Sequence, residues 1–122
     1  MRALGKSVSG FRVGDEVYAA QSLVRDGANA EFVCVDARTA ALKPKAFDHV
    51  QAAALPLVTL TVWEALLLRA RVQRGETILI HAGGGGVGHV AIQLAEVQGC
   101  RVLTTSSQPE SLALCRRLGA DV

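Results

Sequence analysis

A chain of 122 residues, half of them hydrophobic and a fifth charged, suits one ordinary domain or two partial ones around a modest core. A net charge of +2 from interspersed acids and bases, with only 4% aromatic residues, argues against a basic groove or a base-stacking platform, so nucleic acid is not an expected partner. Nothing at the start resembles a signal peptide, and the longest uncharged stretch, 52–63, contains Pro56 and is too short for a bilayer, so a soluble cytoplasmic protein with no membrane partner is expected.

In chain order, Phe11-Arg12-Val13-Gly14-Asp15 reads as a turn, followed by strands over 16–19 and 30–35 joined by a polar loop through Asp26-Gly27. From Phe47 the period changes. Asp48 is placed to N-cap a short helix ending at Ala54, Pro56 interrupts it, and a second helix covers 57–72. That helix is apolar on most faces, which predicts burial between layers. A turn at 73–76 leads into a buried strand, 77–82. After a glycine loop comes a helix with apolar residues at Val87, Val90, Ala91, Leu94 and Ala95, then a second strand at 101–105. Ser107 and Glu110 have capping-box spacing, Leu118 and Gly119 close the helix they open, and Asp121-Val122 would begin a third strand. Cys34, Cys100 and Cys115 are odd in number, lack a C-x-x-C pair and read as buried free thiols.

The most informative stretch is Gly83-Gly84-Gly85-Gly86-Val87-Gly88, because a strand precedes it and a helix follows it at once. In such a fingerprint Gly83 allows the tight turn, Gly85 lets backbone approach a pyrophosphate, and Gly88 lets the helix pack on the strand. The N–H groups near Gly86 and Val87 lack intrahelical acceptors and sit at the positive end of a helix dipole, which suits a diphosphate. The blander alternative is a hinge, which would not require an amphipathic helix immediately after it. The expected class is therefore α/β: a partial β segment, 1–46, then the first half of a Rossmann (doubly wound parallel sheet) nucleotide-binding domain, 47–122. Gly5-Lys6-Ser7 imitates the end of a P-loop but lacks the upstream glycine and the flanking strand and helix.

Four stretches resemble the medium-chain dehydrogenase/reductase superfamily in its zinc-independent quinone oxidoreductase (zeta-crystallin-like) branch. They are 11–19, Ala52-Ala53-Ala54-Leu55-Pro56-Leu57 with Leu60-Thr61-Val62-Trp63-Glu64-Ala65-Leu66, then 75–82 with its glycine loop, and Leu118-Gly119-Ala120-Asp121. The resemblance implies that 1–46 is part of a GroES-like domain, that the chain is an internal fragment, and that NADPH is the cofactor for hydride transfer to a quinone or another activated alkene or carbonyl. It assigns no catalytic residue, and the chain alone is expected to be inactive. Zinc-dependent relatives use a four-cysteine cluster that three scattered cysteines cannot form, so no metal is expected.

The candidate cofactor-binding residues are Gly83, Gly85, Gly86, Val87, Gly88, Ser106, Ser107 and Thr61. NAD-selective sites carry an acidic residue at the tip of the second strand. Here the tip is Thr105-Ser106-Ser107, whose hydroxyls can donate to a 2′-phosphate, with Arg116 or Arg117 as further sources of charge. Many relatives carry a lysine after a glutamate in this region, whereas Ser111 follows Glu110 here. Ser107 is assigned to capping and Ser106 to the phosphate. Thr61 is open between a nicotinamide contact, implied by the resemblance, and a packing or capping role. His81 reads as a satisfied histidine beneath the loop, His49 and His89 as surface or packing residues, and Trp63, Leu66 and Leu67 as core. Two alternatives to the quinone oxidoreductase reading stand: a non-catalytic nucleotide-binding fragment or interaction module, and a piece of an enoyl-reductase domain of a multidomain synthase. Expected partners are a small-molecule substrate and either a second copy or a completing chain.

Overall fold

The computed structural model describes residues 1–22, 24 and 27–121. Contacts divide the chain into two compact units, Met1–Pro56 and Leu57–Val122.

In the first unit, strand β1 (Val17–Ala19) pairs antiparallel with β2 (Ala40–Leu42), in the register Val17 to Leu42, Tyr18 to Ala41 and Ala19 to Ala40. The partner of β1 is therefore not the expected strand at 30–35. That stretch is not a strand, although Phe32, Val33 and Val35 favour one, because strand propensity needs a paired backbone and β2 occupies the place beside β1. Cys34 lies in it and is exposed, contrary to the expected burial, while Cys100 and Cys115 are buried. The loop expected through Asp26-Gly27 falls in part outside the described residues. Beside β2 the Lys43 ammonium, which also reaches the Phe47 carbonyl, lies 3.3 Å from Glu16. Hydrogen bonding and charge from Lys43, with a smaller contribution from His49, hold the Glu16 carboxyl below the usual carboxylate range.

Helix α1 (His49–Trp63) starts as expected: the Asp48 carboxylate accepts from the Gln51 N–H at 2.7 Å while the Gln51 side chain accepts from the Asp48 N–H at 3.1 Å. Its course does not follow expectation. The helix continues through Pro56, since a missing N–H removes one bond from a ladder that the flanking turns sustain, and it widens into a π turn over Glu64–Arg69. The wider turn brings residues five apart onto one face, where Arg69 meets Glu64 at 2.9 Å. Two expectations change with this continuity. The 21-residue run His49–Arg69 is long and apolar enough to cross a bilayer by length and composition, a property that a core helix shares. The expected burial on most faces is also not found, as Leu57 is 62% and Leu60 58% exposed.

The second unit is built on the parallel pair β3 (Thr77–Ile80) and β4 (Arg101–Thr104), with α2 (Gly88–Val97) between them in sequence and α3 (Pro109–Arg117) after them. This is the βαβ start of a Rossmann half. Val72, Ile92, Ala95, Cys100, Val102, Cys115 and Ala120 form its core, flanked by Leu66, Leu67, Ile78, Ile80 and Leu118. Strand β3 is covered on one face only, so Leu79 is exposed where a fully buried strand was expected. The buried stripe of α2 is Gly88, Ala91, Ile92 and Ala95, and Val87 stays outside it. Gly119, at φ +107°, closes α3 as expected. Asp121 donates its N–H to the Val102 carbonyl at 2.8 Å and accepts the Val102 N–H on its carboxylate at 2.9 Å, but it forms no strand, contrary to the expected third strand. Val122 lies outside the described residues.

Candidate functional site

The loop between β3 and α2 is held at three points. The Gly83 N–H donates to the Thr105 carbonyl at 3.0 Å, and the Ala82 N–H reaches the Thr105 hydroxyl at 3.3 Å, so the end of β4 anchors the loop's entry. A turn closes through the Gly85 N–H to the Ala82 carbonyl at 2.9 Å. At its exit, the Gly85 carbonyl accepts both from the His89 N–H, at 3.1 Å, and from the His89 ring Nδ1, at 2.8 Å. A carbonyl only accepts, so this bond puts the proton on Nδ1. His89 thus clamps the loop, a role its position in the first turn of α2 hints at but composition does not reveal.

The glycines divide by what a β-carbon would meet. At Gly83 it would stand 2.1 Å from the Thr104 hydroxyl oxygen and 2.9 Å from Cys115 Sγ; at Gly88, 2.4 Å from the Ala82 carbonyl oxygen. These two glycines allow close packing under the loop. The turn itself uses a positive φ at Ala82, +54°, and none at Gly83. At Gly84 a β-carbon would stand 2.7 Å from Ser111 Cβ, which sets the first turn of α3 against the loop. Gly85 would meet only the Ala82 carbonyl oxygen, at 3.2 Å, and Gly86 nothing. Backbone at Gly85 and Gly86 is thus open to close approach from outside. Among the described residues, the N–H groups of Gly86 and Val87 have no hydrogen-bond acceptor.

A cleft of about 250 Å³ opens beside this loop. Ala82, Gly84 and Gly85 form one wall, and Ser106, Ser107, Gln108 and Ser111 the other. Of the expected residues, the fold brings Gly85, Ser106 and Ser107 to the cleft, sets Gly83 and Gly88 under the loop, and puts Gly86 and Val87 at the start of α2. Thr61 does not line the cleft; its hydroxyl donates to the Leu57 carbonyl at 2.9 Å within α1. His81 is exposed and is hydrogen-bonded to the Thr105 hydroxyl at 3.1 Å, so it is satisfied as expected. Gln108 and Ser111 were not anticipated; only the proximity of α3 to the loop reveals them.

Neither serine caps α3, so the capping role expected of Ser107 is not found. Pro109 occupies the first helical position, so the N-cap is Gln108, Glu110 is the second helical residue, and the capping box expected of Ser107 and Glu110 does not form. It is the Ser106 hydroxyl that accepts from the Gln108 N–H, at 3.4 Å. Among the described residues, Ser107's hydroxyl has no partner, and no three His, Cys, Asp or Glu side chains converge as a metal site would require.

A family model described as zinc-binding dehydrogenase matches residues 86–122. An alcohol dehydrogenase superfamily protein from Novosphingobium aromaticivorans is 50% identical and superposes with a TM-score of 0.93 over 98% of this chain and 36% of its own. Escherichia coli quinone oxidoreductase, solved in complex with NADPH, is 33% identical with a TM-score of 0.78 over 96% of this chain and 35% of its own. CurK enoyl reductase is 38% identical with a TM-score of 0.85, over 98% and 36%. The chain thus spans about a third of the length of these solved relatives. By this likeness over nearly all its length, the chain belongs to the medium-chain dehydrogenase/reductase superfamily, among its quinone-oxidoreductase-like members.

Proposed function

We propose that the glycine loop and its cleft hold the diphosphate and adenosine-ribose of NADPH, as part of an oxidoreductase acting on a quinone or another activated alkene or carbonyl. One observation carries the reading. The Gly86 and Val87 N–H groups, without acceptors, open α2 behind backbone that no side chain shields at Gly85. An anion there meets oriented donors and the positive end of a helix dipole, and the dipole complements charge that a flexible hinge would have no reason to meet. NADPH, when bound, supplies the hydride. The chain's own residues do the holding. Thr105 and His89 keep the loop in its binding shape, Gly85 admits the diphosphate, and the Ser106 and Ser107 hydroxyls face the ribose end.

The test is an amide-resolved NMR titration of the chain with NADPH. Shifts confined to 83–89 and 105–111, with a Kd near ~1 mM, or about −4 kcal/mol, are expected for a cleft open on one side. Saturation without shifts at the loop, or shifts centred elsewhere, would overturn the reading. The similarity to CurK enoyl reductase favours a second acceptor class, an enoyl group of a synthase. That reading keeps the same cofactor site, so only turnover of the full-length protein on quinones against enoyl thioesters separates the two.

A further inference from the structure

We infer that His81 is a positioning residue that sets the entry of the glycine loop through the Thr105 hydroxyl, and does so only while its ring is neutral. The exit, held by His89, does not depend on ring charge. The effect on binding rests on the nucleotide reading above; the arrangement of the loop does not. The Thr105 hydroxyl accepts from the Ala82 N–H at 3.3 Å and stands 3.1 Å from His81 Nδ1. A hydroxyl has one proton and two acceptor positions, so with Ala82 on one position it either donates to Nδ1 or accepts a second time. Donation runs Ala82 N–H, Thr105 O–H and Nδ1 head to tail, and each bond then strengthens the next. Neutral His81 therefore carries its proton on Nε2.

Acid reverses this. A protonated imidazole bears N–H at both nitrogens, so Nδ1 becomes a donor and the Ala82 N–H shares the Thr105 oxygen with a charged competitor. Ala82 is where the loss is felt: its φ of +54° is left-handed, a conformation that a residue with a β-carbon keeps only when its surroundings impose it. Its carbonyl accepts from the Gly85 N–H at 2.9 Å, so a shift at Ala82 passes to the backbone that faces the diphosphate. At the exit, His89 Nδ1 donates to the Gly85 carbonyl at 2.8 Å, and that nitrogen keeps its proton in both charge states. The two histidines bracketing the loop thus use the same ring nitrogen in opposite senses. The titratable groups on the neighbouring elements are Arg101 at the far end of β4, His89 and Glu96 on α2, and Glu110, Cys115, Arg116 and Arg117 on α3. Among the described residues none of them is ion-paired to His81.

The experiment records imidazole nitrogen spectra and amide shifts of the chain between about pH 5 and about pH 8, the range in which imidazoles change charge. Neutral His81 is expected to be protonated on Nε2 and neutral His89 on Nδ1. The Ala82 and Gly85 amides should follow the His81 titration, and Thr105→Val should abolish that response. His81→Asn offers Thr105 an amide oxygen that does not titrate, so it should hold the entry at every pH, while His81→Leu should release it at every pH. Titration with NADP⁺, the acid-stable form of the cofactor, reads the consequence. From about pH 8 to about pH 5.5 wild type should lose about fivefold more affinity than His81→Asn, a comparison in which the titration of the 2′-phosphate cancels. A neutral His81 protonated on Nδ1 would overturn the inference, as would equal pH dependence in wild type and His81→Asn. If the ring tautomers are as expected but NADP⁺ moves no loop amide at any pH, the nucleotide reading falls and the His81 relay stands.

Discussion

Alanine at Gly88 and alanine at Gly85 separate packing from ligand approach within one loop. In Gly88→Ala the new β-carbon would stand 2.4 Å from the Ala82 carbonyl oxygen, 2.7 Å from Gly83 Cα and 2.9 Å from the Gly83 carbonyl carbon. All three are backbone atoms, so relief requires moving the loop by roughly an ångström against the Thr105 anchor; overpacking of this kind costs about 1–3 kcal/mol. Gly85→Ala meets a single oxygen at 3.2 Å, which a shift of a few tenths of an ångström relieves. Its φ is not in the left-handed region, so the stiffer unfolded chain returns about 0.4–1 kcal/mol and the net change is near zero. For a unit of this size about 2 kcal/mol lowers Tm by roughly 8–16 °C, so circular dichroism melts should show Gly88→Ala well below wild type and Gly85→Ala close to it. NMR titration should then show the reverse order of loss: Gly85→Ala, folded, binds NADPH at least about tenfold more weakly, because its methyl occupies the approach to the backbone. Equal melting losses in the two variants would refute the assignment of Gly88 to packing. A Gly85→Ala chain that binds like wild type would refute the assignment of Gly85 to the ligand.

Three further outcomes follow from the same geometry. His89→Ala removes the ring bond to the Gly85 carbonyl and should cost about 1 kcal/mol in a urea melt, with faster amide exchange at 85–89; unchanged exchange there would show that the ring does not clamp the loop. Glu16, held low chiefly by Lys43, contributes stability that is present above its unfolded pKa and lost as pH falls through its lower folded value; the acid limb of the first unit should weaken in Glu16→Gln and in Lys43→Met, and NMR titration of Glu16 in Lys43→Met should return to the ordinary glutamate range. Leu57 and Leu60 leave apolar surface on α1 open, so sedimentation should show association rising with concentration, reduced in Leu57→Gln/Leu60→Gln without a fall in Tm; a strictly monomeric wild type would count against exposure of this face.

The parts of this chain legible from its sequence are those whose cause is local. Strand, loop and helix follow one another between Thr77 and Val97 because β-branched residues, glycines and a 3.6-residue apolar period occur in direct succession, and Gly119 closes α3 for reasons contained within a few residues. The expectations that changed depend on neighbours distant in sequence or on a single shift of register. Residues 30–35 have strand-forming side chains, yet the place beside β1 belongs to Ala40–Leu42, and no propensity at Phe32 announces that competition. Pro56 would break an isolated helix, but α1 continues through it, so the weight of a proline depends on the length of helix either side.

The strand tip shows most directly how such a shift reaches function. Composition at 105–107 exposes the lack of a carboxylate, but Pro109 at the first helical position puts the N-cap at Gln108, so Ser107 makes no cap bond and the Ser106 hydroxyl instead accepts from the Gln108 N–H. The same register puts Ser111, the third helical residue, against Gly84. Helix register decides which side chains α3 turns toward the loop. An argument built on the strand tip alone therefore weighs two of the four side chains that line the far wall of the cleft, and misses Gln108 and Ser111, which the start of α3 brings there.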